Sequence, residues 1–172
     1  MNNPEKLVKY VRDGLIEKEH FGYIVLANID KLLDAKGDDG GYPFYLRSCA
    51  KPLQASLLID FGMDKFFDMT EEEIAICCAS HSGESIHTDL VSGLINKIGL
   101  DSTYLKCGIH MPLSKTEQKR MILENEEPNV FHNNCSGKHS AMLAVCKEKR
   151  FPKENYKDLK HPLSNYIIEH VC

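Results

Sequence analysis

Apolar residues first concentrate near the N-terminal end of the chain, in residues 22–29 (Gly-Tyr-Ile-Val-Leu-Ala-Asn-Ile). Such a run of β-branched and aromatic side chains is typical of a buried strand. Residues 36–41 are rich in glycine and aspartate and predict a turn. Residues 42–46 then predict a returning strand, so the sequence indicates a hairpin in this region.

After the hairpin, the apolar spacing changes to that of a helix. Leu53, Leu57 and Phe61 recur every fourth residue, which predicts a helix over residues 48–61. Gly62 supplies the glycine that commonly ends a helix.

Four further helices follow from the same spacing and from the residues that open them. They are predicted over residues 70–79, 85–98, 114–125 and 136–149. Thr70 and Ser114 each begin a capping box, in which a glutamate three residues later reaches back to the helix start. A last helix is predicted from the apolar stripe of Leu163, Ile167 and Val171, with no cap, glycine or proline at its end.

Composition limits the class of protein. The chain has 172 residues, 42% of them hydrophobic and 27% charged, and a net charge of −4. That length suits a single domain over residues 1–172. The lack of a basic excess argues against nucleic acid as a partner, and no apolar run is long enough to span a membrane. Seven cysteines, none in a Cys-x-x-Cys pair, indicate free thiols in a reducing cytoplasm.

The segment Arg47-Ser48-Cys49-Ala50-Lys51 carries the first candidate chemistry. Ser48 precedes Lys51 by three residues, so both side chains lie on one face if the pair opens a helix. A serine beside a lysine base is a known form of activated nucleophile, provided that the lysine amine is neutral part of the time. A helix-capping serine followed by a surface lysine explains the same spacing.

A second polar segment follows an apolar run at residues 74–79. It reads Ser80-His81-Ser82-Gly83-Glu84 and places polar side chains and a flexible glycine at the edge of the predicted core, where sites are often built. An ordinary turn before the next helix would also account for it. Neither a zincin nor an α/β-hydrolase motif occurs in the chain.

The third segment, residues 133–139, opens a predicted helix with amides, a thiol, a serine, a glycine and a lysine. These donors are suited to binding an anion at a helix N-terminus. Cys135 is a candidate nucleophile, a zinc ligand or a packing residue. With His132 and His139 nearby, a metal site is also possible, although the spacing is not a standard zinc pattern.

Taken together and in this order, the three segments resemble the type II bacterial L-asparaginase family. The matching stretches are Arg47-Ser48-x-x-Lys51-Pro52-x-Gln54, Ser80-His81-x-Gly83-Glu84-x-x-His87 and Asn134-Cys135-Ser136-Gly137-Lys138-His139. Near the N-terminus, Arg12, Glu17, His20 and Gly22 also match. The resemblance covers about residues 8 to 165.

The resemblance implies an amidohydrolase that converts L-asparagine to L-aspartate and ammonia. It implies an α/β fold of the α+β type, with a serine β-lactamase-like antiparallel sheet and packed helices. Ser48 and Lys51 would form one Ser-Lys pair, and Ser80 would belong to a second. Zinc would bind beside the active site through Cys135 and Lys138. The substrate-binding residues that we carry over by position are Arg47, His81, Gly83, Glu84 and Asn134.

The chain departs from the family in length, because its members are substantially longer. The part absent here would supply the lysine partner of Ser80 and further zinc ligands. We therefore expect a homodimer or pairing with a C-terminal half, and negligible asparagine hydrolysis by the 172 residues alone. The alternatives are an inactive fragment that binds a ligand or a partner chain, and another serine acyl-transfer enzyme of the β-lactamase kind. The Ser-Asp-Asn and Lys-Thr-Gly motifs of that kind are absent.

Overall fold

The computed structural model describes residues 3–38 and 41–171, with the side chain of Val171 left out of the description. Two compact units make up the chain, one ending at Tyr45 and the other beginning at Leu46. The first holds the strands and the second holds the helices. The protein is therefore a mixed α and β structure with small antiparallel sheets, as expected at the level of fold class.

The first unit consists of two antiparallel hairpins. Its strands are β1 (Glu5–Arg12), β2 (Leu15–Gly22), β3 (Ile24–Ala27) and β4 (Leu32–Lys36). In the first hairpin Lys9 pairs with Glu19, and in the second Val25 pairs with Ala35. An Asp13-Gly14 turn with positive φ at both residues joins β1 to β2.

The prediction for this region was partly wrong. The strand expected over residues 22–29 is the shorter β3, and it is exposed rather than buried, with Leu26 57% exposed. Its partner is β4, whereas residues 42–46 form no strand. The Asn28 side chain accepts the N–H groups of Asp30 and Lys31 (3.0 and 2.9 Å) and so forms a tight turn. The chain therefore reverses direction at this turn, before it reaches the turn expected at residues 36–41. Of the expected turn at 36–41, residues 39 and 40 lie outside the described part.

The second unit is helical. Its helices are α1 (Lys51–Ala55), α2 (Leu57–Asp60), α3 (Met63–Phe66), α4 (Glu71–Cys78), α5 (Ser85–Lys97), α6 (Lys115–Leu123), α7 (Ser136–Glu148) and α8 (Pro162–Val171). The single helix predicted over residues 48–61 is divided into a 3₁₀ turn (Arg47–Ala50), α1 and α2. Ser56 lies at the break, and its hydroxyl donates to the Leu53 carbonyl (2.7 Å). Gly62, with φ of 68°, ends α2 as predicted.

The two predicted capping boxes differ in the structure. At Thr70 the box is complete, and the Glu73 carboxylate also pairs with Lys97 (2.6 Å). At Ser114 only half of it forms, because Glu117 turns its carboxylate to Arg120 (2.5 Å) instead of the helix start. Both helices nevertheless begin at the predicted residues, since the serine or threonine oxygen accepts the N–H of the third helical residue in each case.

Helix α7 is the centre of the helical unit. Ten of its 13 residues are buried, and they pack against α4, α5 and α1. Leu163 of the predicted α8 stripe is fully buried and Ile167 is partly buried. The third member, the Val171 side chain, lies outside the described residues. Within the described ranges, no helix has both the length and the apolar character needed to cross a membrane.

The approach of α7 to α4 depends on a glycine. A Cβ atom added at Gly137 would lie 2.2 Å from the Ile76 carbonyl oxygen and 2.7 Å from its carbonyl carbon. Backbone cannot yield in the way that a flexible side chain does, so any larger residue would push the two helices apart.

We therefore expect Gly137→Ala to lower the free energy of unfolding by roughly 1–3 kcal/mol or more, as overpacking of a core does. Chemical denaturation followed by circular dichroism measures this change. Gly93→Ala is the matched control: Gly93 lies inside α5 with no atom within 4 Å of the added Cβ. That change should be neutral or stabilise the protein by about 0.5–1 kcal/mol. Equal stability of the two variants would contradict the close approach.

Candidate active site

Lys51 lies at the centre of the candidate site. It is the first residue of α1 and only 4% exposed. Its Nζ lies 2.5 Å from Ser80 Oγ, 3.1 Å from the Ala79 carbonyl oxygen and 3.2 Å from the Asn134 carbonyl oxygen. A buried amine is thus held by three acceptors from two distant parts of the chain.

This geometry suits both protonation states of the lysine. As an ammonium, Lys51 donates its three protons to the two carbonyls and to Ser80 Oγ. As a neutral amine, it keeps two N–H groups for the carbonyls of Ala79 and Asn134, and its lone pair faces the serine hydroxyl. In that state Ser80 donates to Lys51, which is the arrangement that activates a serine nucleophile.

Ser80 is placed by the end of α4. The helix stops at Cys78, and Ala79 takes an extended conformation (φ −94°, ψ 158°) that carries the chain away from the helix axis. Ser80 is exposed, whereas its lysine partner is buried. A substrate can therefore reach the hydroxyl while the base remains shielded.

The first expected pair, Ser48 with Lys51, is arranged differently. Ser48 lies exposed in the 3₁₀ turn, and its backbone carbonyl accepts the N–H of Lys51. Across the described residues, no hydrogen bond joins the Ser48 hydroxyl to Lys51 Nζ. The preceding Arg47 is also exposed and has a positive φ of 51°, an uncommon conformation for a residue other than glycine. In this chain Ser80 is hydrogen-bonded to Lys51 (2.5 Å), and the expected second lysine from a longer chain stays a prediction.

His81 is buried next to this pair. Its Nδ1 accepts the Gly83 N–H (3.2 Å), so the proton is on Nε2, which donates to Ser136 Oγ (2.8 Å). Burial, together with the nearby His87 and Lys51, lowers the pKa of His81 to about 4. The ring is therefore neutral at pH 7, and it links the segment after α4 to the first residue of α7.

Gly83 and Glu84 complete the second segment. Gly83 has φ of 78°, and a Cβ atom there would lie 2.9 Å from the His132 carbonyl oxygen, so the turn requires glycine. Glu84 is the exposed residue that precedes α5, and its side chain makes no capping bond. The Glu84 side chain is thus exposed to solvent, four residues after Ser80.

Asn134 is held in place by a histidine that sequence reasoning missed. His110 Nδ1 donates to the Met111 carbonyl (2.6 Å), and its Nε2 accepts the Asn134 N–H (3.3 Å). This bond restrains the backbone of Asn134, the residue whose carbonyl accepts from Lys51. His110 is 24 residues away from Asn134 and lies in no recognisable motif, so the sequence offers no local signal for it.

Cys135 and Lys138 lie at the start of α7, and a second cysteine is held near them. The Asn133 side chain accepts the Cys135 N–H (2.8 Å) and donates to the Cys107 carbonyl (3.0 Å). Burial lowers the pKa of the Lys138 amine, while the cysteine thiols oppose that change. The pKa of Cys107 is raised to about 11, mainly by burial.

These residues fit a zinc ion only in part. A thiol and a buried amine are plausible donors, but a structural zinc site has four ligands. Within residues 3–38 and 41–171, no group of three His, Cys, Asp or Glu side chains is arranged to hold a metal. The zinc site expected at Cys135 and Lys138 therefore stays a prediction.

A buried lysine hydrogen-bonded to an accessible serine is an arrangement known from acyl-transfer hydrolases. A family model for L-asparaginase II matches residues 8–172. The chain belongs to the L-asparaginase II family, which identifies it in general terms as an asparaginase-type amidohydrolase. A search of curated proteins gave no match.

The buried histidines predict how stability depends on pH. An unfolded histidine binds its proton near pH 6.5, whereas folded His81 binds one only near pH 4. Between these values the unfolded state holds more protons, so the free energy of unfolding should fall as the pH drops from about 6.5 to about 4. His139, whose pKa burial lowers to about 3, adds to the same trend.

Denaturant unfolding at several pH values measures the trend, and nuclear magnetic resonance titration of the His81 ring tests its origin. His81→Gln should reduce the slope but not remove it, since His139 remains. His20→Gln, which changes an exposed histidine on β2, serves as the control. A His81 ring that titrates near pH 6.5 in the folded protein would contradict the buried neutral state.

Proposed function

We propose that this protein hydrolyses the side-chain amide of L-asparagine to L-aspartate and ammonia, with Ser80 as nucleophile and Lys51 as its base. The observation that carries the proposal is the 2.5 Å separation between Lys51 Nζ and Ser80 Oγ, at a lysine shielded from solvent. Membership of the L-asparaginase II family supports the substrate and the type of reaction.

In the first step, Ser80 Oγ attacks the side-chain amide carbon of asparagine, and its proton passes to the Lys51 lone pair. The resulting tetrahedral intermediate collapses as the Lys51 ammonium gives that proton to the leaving nitrogen. Ammonia departs, and an aspartyl ester of Ser80 remains. The carbonyls of Ala79 and Asn134 hold the other two N–H groups throughout, so the lone pair keeps its direction toward the serine.

The second step regenerates the enzyme. Lys51, again a neutral amine after ammonia leaves, takes a proton from a water molecule that attacks the ester carbon. The ester bond breaks, Ser80 Oγ recovers the proton, and L-aspartate is released. One base thus serves both halves of the reaction, as in other covalent hydrolases.

This assignment differs from the sequence-based one, in which Ser48 attacks and Ser80 needs a lysine from elsewhere. That expectation was also the reason for predicting negligible activity of the 172 residues alone. Because Lys51 is the partner of Ser80, we propose that the chain has the groups needed for acylation. Ser48 remains the competing candidate nucleophile, because it precedes Lys51 by three residues in the matching family motif.

The substrate-binding residues stay proposals. Glu84 carries an exposed carboxylate suited to the α-ammonium group of an amino acid, and Arg47 carries an exposed guanidinium in the turn before Lys51. His81, Gly83 and Asn134 act in this proposal by holding the backbone around the Ser-Lys pair.

Assembly with a second chain is a further proposal. Val8, Tyr10, Val11 and Ile16 of the first hairpin are each more than half exposed, and exposed apolar strands favour pairing with another chain. The resemblance to a β-lactamase-like architecture and the cytoplasmic location also stay predictions. Light scattering of the purified chain over a range of concentrations tests the assembly, and a monomer at all concentrations would contradict it.

Zinc binding through Cys135 is tested by elemental analysis of a full-length counterpart, because we expect the 172 residues alone to bind zinc poorly. That protein should contain zinc, and Cys135→Ser should lose most of it. Cys49→Ser is the control, because it removes an exposed thiol from the 3₁₀ turn. Zinc unchanged by Cys135→Ser, or absent from the wild type, would remove Cys135 from any metal site.

The Ser80 assignment predicts the kinetics of three single variants. Ser80→Ala and Lys51→Ala should each reduce ammonia release by roughly 10³-fold or more, and the double variant should be hardly worse, since the two residues act as a unit. Ser48→Ala should retain most of the activity.

A coupled ammonia assay with L-asparagine measures the four variants and the wild type, and mass spectrometry detects the acyl group on Ser80. An inactive Ser48→Ala beside an active Ser80→Ala would transfer the nucleophile to Ser48. Additive losses in the double variant would contradict the prediction that Ser80 and Lys51 act together as a unit.

A further inference from the structure

A polar cavity of about 270 Å³ lies between α5, α6 and residues 126–132 of the helical unit. Neither Ser80 nor Lys51 lines it, so it is separate from the candidate active site. Helix α5 contributes Ser85, Asp89 and Ser92 from one face, α6 contributes Glu117 and Arg120, and the segment before α7 contributes His132. A cavity of this size suits a ligand smaller than a drug molecule.

His132 presents a hydrogen-bond donor to this cavity. The residue is only 4% exposed, and its Nδ1 accepts the Asn129 N–H (3.1 Å). Nδ1 also lies 3.1 Å from Asn129 Oδ1, but that oxygen already accepts the Phe131 N–H. Because the Asn129 N–H points at Nδ1, this nitrogen carries no proton, and Nε2 carries it instead. Nε2 has no hydrogen-bond partner among the described residues, and a buried donor of this kind favours a ligand that accepts from it.

Glu117 presents an acceptor to the same cavity. It is 8% exposed, and its Oε1 accepts from Arg120 Nε (2.9 Å) and Nη2 (2.5 Å). Its Oε2 accepts no hydrogen bond from the described part of the chain. The hydrogen bonds from Arg120 lower the pKa of Glu117, so the carboxylate is charged at pH 7. A buried, charged oxygen without a partner favours a ligand that donates to it.

The cavity carries an excess of negative charge. Asp89, Glu117 and Glu126 line it, against the single guanidinium of Arg120. That guanidinium is already paired with Glu117, with Glu126 and with Glu124, which does not line the cavity. Such a charge distribution disfavours an anion and favours a cation.

The tautomer of His132 decides which kind of cation fits. A ring nitrogen that carries a proton has no lone pair to offer a metal ion, so Nε2 is not a metal ligand in this arrangement. Ser85 and Ser92 add hydroxyl groups that can donate or accept, and within the described ranges neither hydroxyl has a hydrogen-bond partner. The cavity therefore suits an organic cation that also carries oxygen acceptors.

We propose that this cavity binds a small hydroxylated ammonium compound, of the class of the amino sugars, with its ammonium group on the Asp89 and Glu117 carboxylates and a hydroxyl oxygen on His132 Nε2–H. Hydrogen bonds between ionised partners are the stronger ones, so the ammonium group supplies most of the affinity and the hydroxyl groups supply selectivity. The inference is independent of the proposed amide hydrolysis, since the cavity holds neither member of the Ser-Lys pair.

Titration of the isotope-labelled whole chain with D-glucosamine, followed by nuclear magnetic resonance, measures the binding and locates it. The chemical-shift changes should concentrate in residues 85–92 and 129–132. D-Glucose has the hydroxyl groups without the ammonium group, and cyclohexylamine has the ammonium group without the hydroxyl groups. Each should bind about tenfold more weakly than D-glucosamine, because each lacks one of the two kinds of contact.

Two variants separate the contacts. Asp89→Asn should weaken D-glucosamine binding about tenfold and leave D-glucose binding unchanged, because it removes a charged partner of the ammonium group. His132→Asn keeps an acceptor at the δ position for the Asn129 N–H and removes the donor at Nε2, so it should weaken the binding of both sugars. Glu169→Gln is the matched control, because it removes an equal charge from an exposed position on α8 that does not line the cavity.

D-Glucosamine that does not bind, or that shifts residues elsewhere in the chain, would overturn the inference. Equal affinity of wild type and Asp89→Asn for D-glucosamine would do the same, as would equal affinity of the wild type for D-glucosamine and D-glucose. A loss in Glu169→Gln as large as that in Asp89→Asn would show attraction by the net charge of the chain and would also overturn it.

Discussion

The contact between α7 and α4 at Gly137 and Ile76 is the constraint on which the site depends. Lys51 takes one carbonyl acceptor from the end of α4, at Ala79, and the other from the residues that lead into α7, at Asn134. These two acceptors can meet at one amine only if the helices approach to backbone distance. A side chain at position 137 would separate them, and the lysine could then reach one helix end but not both. Core packing and site geometry are therefore a single requirement here.

Two histidines hold the backbone around the pair in place. His110 accepts the Asn134 N–H, and His81 joins Gly83 to Ser136. The neutral ring of His81 has a hydrogen-bond partner on each nitrogen, so burial leaves neither nitrogen unsatisfied.

The sequence predicted the features that neighbouring residues decide. It did not predict contacts between residues that are far apart in the chain. The capping residue Thr70, the glycine stop at Gly62 and the start of α7 are decided by neighbouring residues, and each was predicted correctly. The Asp13-Gly14 hairpin was missed although its turn dipeptide is a strong signal. The pairing of Lys51 with Ser80 was beyond local reasoning, because 29 residues separate the two. The spacing of Ser48 and Lys51 instead suggested that the two side chains share one helical face. In the structure, Ser48 lies in a 3₁₀ turn that ends where α1 begins at Lys51. The lysine amine therefore points toward the end of α4.

The burial of Lys51 has a consequence for selectivity toward electrophiles in general. An unprotonated amine is a strong nucleophile, and on the surface it would itself be acylated or carbamylated by reactive carbonyl compounds. Lys51 is 4% exposed, and two of its N–H groups are bound to carbonyls. An electrophilic carbon atom therefore cannot approach the amine. Of the two members of the pair, the exposed Ser80 hydroxyl is the one that a carbonyl carbon can reach. In the proposed mechanism, the fold thus directs bond formation to oxygen, which yields an ester that water can cleave, and away from nitrogen, where a stable amide would end turnover.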